Sequence, residues 1–131
     1  MDHILRTDHL ANGVRVDFID GSNRYFGDYH RLRIEIRCRI AVTPQLFVAA
    51  ADPCAEAARV RSRLGDEILW VRHLERMGVA GGDLEMVRNE MIESFVKSSF
   101  PYLQSQLFPS RFVAIELAER LKKVRPFRLV K

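Results

Sequence analysis

The apolar positions of this chain change period once. Leu32, Ile34, Ile36, Cys38, Ile40 and Val42 alternate with Arg31, Arg33, Glu35, Arg37, Arg39 and Ala41, the two-residue repeat of a strand with one buried and one solvated face. Upstream, Asn12-Gly13 separates two short apolar runs, residues 4–11 and 14–19. That dipeptide suits the two positive φ angles of a type I′ turn, so a two-residue hairpin loop is expected, pairing Ala11 with Val14 and His9 with Val16. Beyond Pro44 the repeat becomes helical. Strands first and helices afterwards predict an α+β fold: a three-stranded antiparallel meander over residues 1–43, packed on one face by three to four helices within residues 52–125.

The helical half is read from its caps and breakers. Asp52-Pro53 makes an N-cap and first turn, and Val60, Leu64, Ile68 and Val71 keep one face to about Met77, with Gly65-Asp66 as a point of division and Gly78 as a stop. A further helix should start at Asp83 after Gly81-Gly82, carry Leu84, Val87, Met91, Ile92 and Phe95, and end near Ser99 before Phe100-Pro101. The last should open near Ser110, bury Phe112, Val113, Leu117, Leu121 and Val124, gain support from Glu116 with Arg120 and Glu119 with Lys123, and end at Pro126. No repeat, low-complexity tract or linker interrupts residues 1–131, so one domain is expected.

Composition fits this picture. Hydrophobic residues make up 47% and charged residues 29% of the 131, which is globular usage rather than disorder. No apolar run reaches bilayer length and no leader pattern opens the chain, so a cytoplasmic protein is expected. Cys38 and Cys54 are too few and too widely spaced for a disulfide framework or a zinc site. The net charge of +4 gathers at the C-terminal end, where residues 100–131 hold 7 basic and 2 acidic side chains. Arg120, Lys122, Lys123, Arg125, Arg128 and Lys131 form that cluster, which either attracts a polyanion or solubilises the chain end.

Asn12-Gly13-Val14, the segment SNRYFGDYHR and the segment PYLQSQLFPSRFV together resemble a family of small bacterial proteins of no assigned function. The resemblance implies no activity and transfers no catalytic or binding residue. The Asp-x-Ser of FIDGS is similar to part of the motif of PilZ domains, but the closely spaced glycine of that family is missing, as are the strands of a barrel.

Two surfaces emerge as candidates. Residues 20–30 form a turn-rich segment longer than usual for a hairpin connection, with Asp20-Gly21-Ser22-Asn23 and Gly27-Asp28 as turn formers. In it Arg24, Tyr25, Phe26 and Tyr29 form either a stacking and hydrogen-bonding surface or a lid in which Phe26 and one tyrosine fold over the core. The lid is the expected arrangement. The second surface is the charged strand face, where Arg6, Arg15, Arg31, Arg33, Arg37 and Arg39 outnumber Asp8, Asp17 and Glu35. Cross-strand pairing should satisfy about half of those arginines. The candidate binding residues are therefore Arg24, Tyr25, Tyr29, Arg31, Arg33, Arg37 and Arg39.

Catalytic patterns are sparse. Asp20, Asp28 and His30 are the one carboxylate and imidazole group close enough in sequence to act together. His3, His9, His30 and His73 lack metal-ligand spacing, and no phosphate loop, dinucleotide fingerprint or nucleophile elbow is present. No cofactor or metal is expected. The function expected is a non-enzymatic interaction module, with a second copy or another protein as partner. Nucleic-acid binding through the arginine face and basic C-terminus is the alternative, and an enzyme built on the 20–30 segment the second alternative.

Overall fold

A computed structural model describes the backbone of residues 3–129 and the side chains of residues 3–122. It is α+β. Strands β1 (His3–His9), β2 (Arg15–Asp20), β3 (Asn23–Phe26), β4 (Tyr29–Ala41) and β5 (Glu67–Ala80) form a five-stranded sheet, and the helices are α1 (Pro53–Leu64), α2 (Leu84–Leu103) and α3 (Phe108–Leu129). The expected meander of three strands is thus corrected to five, because two segments fold as strands where other structure was expected.

The first is the expected loop at residues 20–30. Gly21 N–H donates to Arg33 O at 2.9 Å and Arg33 N–H donates to Ser22 Oγ at 3.0 Å. The Asp20↔Ile34 register continues into Asn23↔Arg31 with no shift. β2 and β3 are therefore successive lengths of one arm along the same edge of β4. A tight turn closes the arm at Gly27-Asp28, where Gly27 takes φ +54°, a conformation that favours glycine.

The second is residues 67–80, expected as helix. Gly65, at φ +91°, ends α1 by donating its N–H to Arg61 O at 2.8 Å. The run Ile68-Leu69-Trp70-Val71 that follows is apolar and rich in β-branched and aromatic residues, which fit a pleated surface. Val42 N–H donates to Asp66 O, Glu35 meets His73, Arg31 meets Glu75, and Gly81 N–H donates to Asp28 O. These contacts run in reverse order along β4, so β5 lies antiparallel on the edge that β2 and β3 leave free. Ile68 and Val71 satisfy a helical repeat and a strand alike, and the pairing with β4 decides between them.

The first hairpin also differs in register. Gly13 alone has positive φ, +90°, in a loop where Gly13 N–H donates to Leu10 O at 3.0 Å and Leu10 N–H to Val14 O at 2.9 Å. This is a three-residue loop, a type I turn closed by a glycine bulge, and it sets His9 opposite Arg15 rather than Val16. Asn12 stays out of the left-handed region; its side chain instead accepts from Val14 N–H at 3.2 Å and donates to Leu103 O at 2.7 Å.

Contacts gather the chain into two compact units, Met1–Arg39 with Leu69–Gln104 and Ile40–Ile68 with Ser105–Lys131. In the first, Val16, Phe18, Leu32, Ile34, Ile36 and Cys38 are buried with Phe95, Phe100 and Leu103 of α2. Phe18 meets Phe95 edge-on at 5.9 Å and Phe100 at 6.3 Å. Burial of Phe100 and Leu103 carries α2 past the expected end at Ser99 and through Pro101, where the missing N–H costs one bond in the last turn.

In the second unit Ile40, Val42, Val60, Leu64, Phe108 and Val113 are buried. Asp52 caps α1 as expected, accepting from Ala55 N–H at 3.2 Å. Phe112 stacks on Phe108 at 5.8 Å. Helix α3 opens at Phe108 and its backbone continues beyond Pro126. Leu121, expected in the core, is 47% exposed. Arg120 donates to Arg63 O at 2.9 Å rather than pairing with Glu116. The expected contacts of Lys123 and Val124, and most of the basic cluster, lie outside the described side chains.

Candidate interaction surfaces

The charged face of the sheet neutralises much of its own charge. Asp17, opposite Thr7 and Arg37 across the sheet, is only 2% exposed. It accepts from Thr7 Oγ1 at 2.7 Å and Arg15 Nε at 3.2 Å, with Arg39 Nε at 3.6 Å. Glu35 accepts from Arg37 Nε and lies 3.0 Å from His73 Nε2. The hydrogen bond to His73, with that from Arg37, holds the Glu35 carboxyl below the ordinary glutamate range against the opposing effect of burial. Arg31 Nε is 2.6 Å from Glu75 Oε1, an ion pair whose angle leaves that buried N–H without a hydrogen bond. Of the predicted binding arginines, Arg31, Arg37 and Arg39 are thus engaged inside the sheet. Arg33, whose Cγ and Cδ cover Gly21, has no acidic partner among the described residues, and neither has Arg24.

The hairpin tip corrects the lid. Phe26 is 73% exposed, and Tyr25 and Tyr29 are each half exposed. The register runs unshifted from β2 as far as Arg24, then shifts between Arg24 and Phe26, and the aromatics stand at the end of the arm rather than over the core. Phe26 and Tyr29 are cross-strand neighbours. The turn is pinned from the residue that follows β5: Gly81 N–H donates to Asp28 O at 3.0 Å and to Asp28 Oδ2 at 3.2 Å. A Cβ on Gly81 would stand 2.4 Å from Asp28 Oδ1, so glycine is what permits this approach.

The candidate catalytic group is not brought together. Asp20 Oδ1 accepts from Ser22 N–H at 3.0 Å and its Oδ2 is 3.5 Å from Arg88 on α2. Burial pushes that carboxyl up, but the hydrogen bonds from Ser22 and the charge of Arg88 outweigh it and leave it lowered. Asp28 is committed to Gly81, with His30 Nε2 3.9 Å away. Burial, with Asp17 nearby, raises the Cys38 thiol to about 12, whereas Cys54 is exposed. Among the described residues no cluster of His, Cys, Asp or Glu could hold a metal ion, and no helix is long and apolar enough to cross a membrane.

The surface that sequence reasoning missed is β5. Among the described strands it pairs with β4 alone, so its second edge carries unpaired backbone groups along 14 residues. Leu69, Val71 and Met77 are exposed on it, at 46%, 42% and 56%, and share the strand face of His73 and Glu75. Between the strand and the helix, a groove of about 550 Å³ is lined by residues 72–76 of the strand, from both its faces, and by Met91, Ser94 and Phe95 of α2. Arg72, Arg76 and Glu90 line the same groove and have no ion-pair partner among the described residues. The signal that could have located this edge was the β-branched and aromatic run at residues 68–71, read instead as part of a helix running to about Met77. Compared with family models, curated proteins and solved structures, the chain matches none.

Proposed function

We propose that this chain is a non-enzymatic interaction module of the cytoplasm that docks by adding a strand to β5. The observation that carries the reading is the edge itself: a long strand paired on one side, with Leu69, Val71 and Met77 exposed beside His73 and Glu75 on its open face, and a groove between the strand and α2. Folded proteins blunt such edges with charged side chains, bulges, prolines, short strands or covering elements. β5 is long and contains no proline, and its charged residues 72–76 lie at the middle of the edge, between the exposed Leu69 and Val71 and the exposed Met77. Strand addition draws affinity from main-chain hydrogen bonds and selectivity from pockets for alternate side chains, and the groove beside α2 supplies such a pocket.

The test is backbone amide NMR of the whole chain, first on dilution and then on titration with a library of extended ten-residue peptides. Shifts centred on residues 69–77, lost in a Leu69→Lys/Val71→Lys double variant, are expected. If neither dilution nor any peptide moves those amides, the reading fails.

Exposure of Phe26 favours a second reading, nucleic-acid binding at the hairpin tip. There Arg24, Tyr25, Phe26 and Tyr29 would stack and pair with single-stranded bases and phosphates. With Arg24 and Arg33 as its free cations, the slope of log K against log salt would be shallow, about −1 to −2. Binding of a mixed-sequence oligonucleotide at low salt that Phe26→Ala or Arg24→Glu abolishes would support it; no binding at low salt would remove it.

A further inference from the structure

We infer that the strand added to β5 is the β5 of a second copy of this chain, antiparallel, with the two-fold axis passing through Leu74. The inference rests on the edge-docking reading above and names its partner.

The register follows from the side chains. About Leu74, each residue faces its counterpart in the second copy on the same side of the sheet. On the open face His73 meets Glu75 and Val71 meets Met77. His73 already contacts Glu35, and Glu75 already contacts Arg31. Each His73–Glu75 contact therefore completes a row of Glu35, His73, then Glu75 and Arg31 of the second copy, in which acidic and basic groups alternate, and symmetry makes two such rows. The exposed apolar side chains of Val71 and Met77 cover each other just outside them.

Neighbouring registers lose this match. An axis at His73 sets the histidines against each other and Val71 against Glu75, and an axis at Arg72 sets Arg72 against its copy and Ile68 against Arg76. The Leu74 register has one kind of unfavourable pairing, Arg72 opposite Arg76, which symmetry also makes twice. Both arginines line the groove of about 550 Å³ formed by residues 72–76, hence centred on Leu74, and Glu90 of α2 lines it with no ion-pair partner of its own among the described residues. Space is available there, and each copy's Glu90 offsets one of its two arginines.

The experiment is pulsed electron–electron spin measurement on the full chain with Cys54→Ser, labelled singly at Val71→Cys or Met77→Cys, beside sedimentation of the unlabelled protein. Both positions are exposed, so labelling leaves the core intact, and sedimentation of each labelled protein selects a concentration at which it is still dimeric before separations are read. Sedimentation should give a dimer whose dissociation constant rises at least about tenfold in Val71→Lys. The Leu74 axis places residue 71 and residue 77 equally far from their copies, with backbone separations of about 20 Å each. A dimer with two clearly unequal separations, or with none in this range, overturns the Leu74 register while leaving edge docking in place. A monomer whose β5 amides shift with extended peptides overturns the second copy as occupant but not the edge. A monomer whose β5 amides never shift overturns both.

Discussion

Phe18→Ala and Phe26→Ala remove the same ring from adjoining lengths of one arm, and the structure makes their effects opposite. Phe18 is fully buried, with Phe95 edge-on at 5.9 Å, Phe100 at 6.3 Å and the Arg6 guanidinium over its face at 5.7 Å. Truncating a buried phenylalanine costs about 3–5 kcal/mol, as lost transfer energy plus the cavity left behind. The ring contacts and the cation above the face add to that loss, so about 4 kcal/mol is expected. Phe26, 73% exposed at the tip, should change stability by about 0.5 kcal/mol or less. Urea unfolding followed by circular dichroism, compared at unchanged slope, measures both. A Phe18→Ala loss below about 2 kcal/mol, or a Phe26→Ala loss above about 1.5 kcal/mol, would refute the assignment of one ring to the core and the other to solvent.

Asp17→Ala should cost about 2–4 kcal/mol, because it strips Thr7, Arg15 and Arg39 of a buried acceptor; chemical denaturation showing under 1 kcal/mol would contradict that role. Gly81→Ala should destabilise by about 1 kcal/mol through the approach of Asp28, and Asp28→Ala in the same chain should recover part of the loss, a non-additivity that a double-mutant cycle reads directly. Glu35 and Asp20 both have lowered folded values, so their stabilisation is complete above the unfolded carboxylate range near about pH 4 and is lost as pH falls through the folded values; an acid titration of stability should therefore decline below that range, and less so in Asp20→Asn. A thiol reagent should label Cys54 in the native protein and Cys38 only after unfolding, since burial keeps Cys38 protonated and out of reach.

The central strand was legible in the sequence because its alternation from Leu32 to Val42 reflects a single physical demand, one dry face and one wet one. The start of α1 at Asp52-Pro53 and the start of α2 after Gly81-Gly82 were legible for a similar reason: caps and breakers act locally. What was hidden depends on partners distant in sequence. Ile68 and Val71 fit either period, and only β4 makes them strand. Pro101 reads as a stop, yet burial of Phe100 and Leu103 carries the helix through it. Phe26 looked like a lid because aromatic residues are usually buried, whereas the unshifted register through Gly21-Ser22 carries it beyond the core. Of the candidate binding residues, Arg31, Arg37 and Arg39 were correctly placed on one face, but their acids could be assigned only once Glu75, Glu35 and Asp17 had been brought alongside.

The four arginines that alternate with apolar residues along β4, two on either side of Glu35, have a consequence before the fold is complete. In a chain growing from its N-terminus, Leu32, Ile34, Ile36, Cys38 and Ile40 emerge well ahead of α2, whose Phe95 and Phe100 join them in the core. For that interval the strand is a β-prone apolar ribbon of the kind that pairs with its own copies into aggregates. Arg31, Arg33, Arg37 and Arg39 place like charges through it and act as gatekeepers against stacking. Arg33 separates this duty from native stability, since its guanidinium has no acidic partner among the described residues of the finished fold. Arg33→Thr should therefore leave the unfolding midpoint nearly unchanged while lowering the soluble fraction recovered from synthesis.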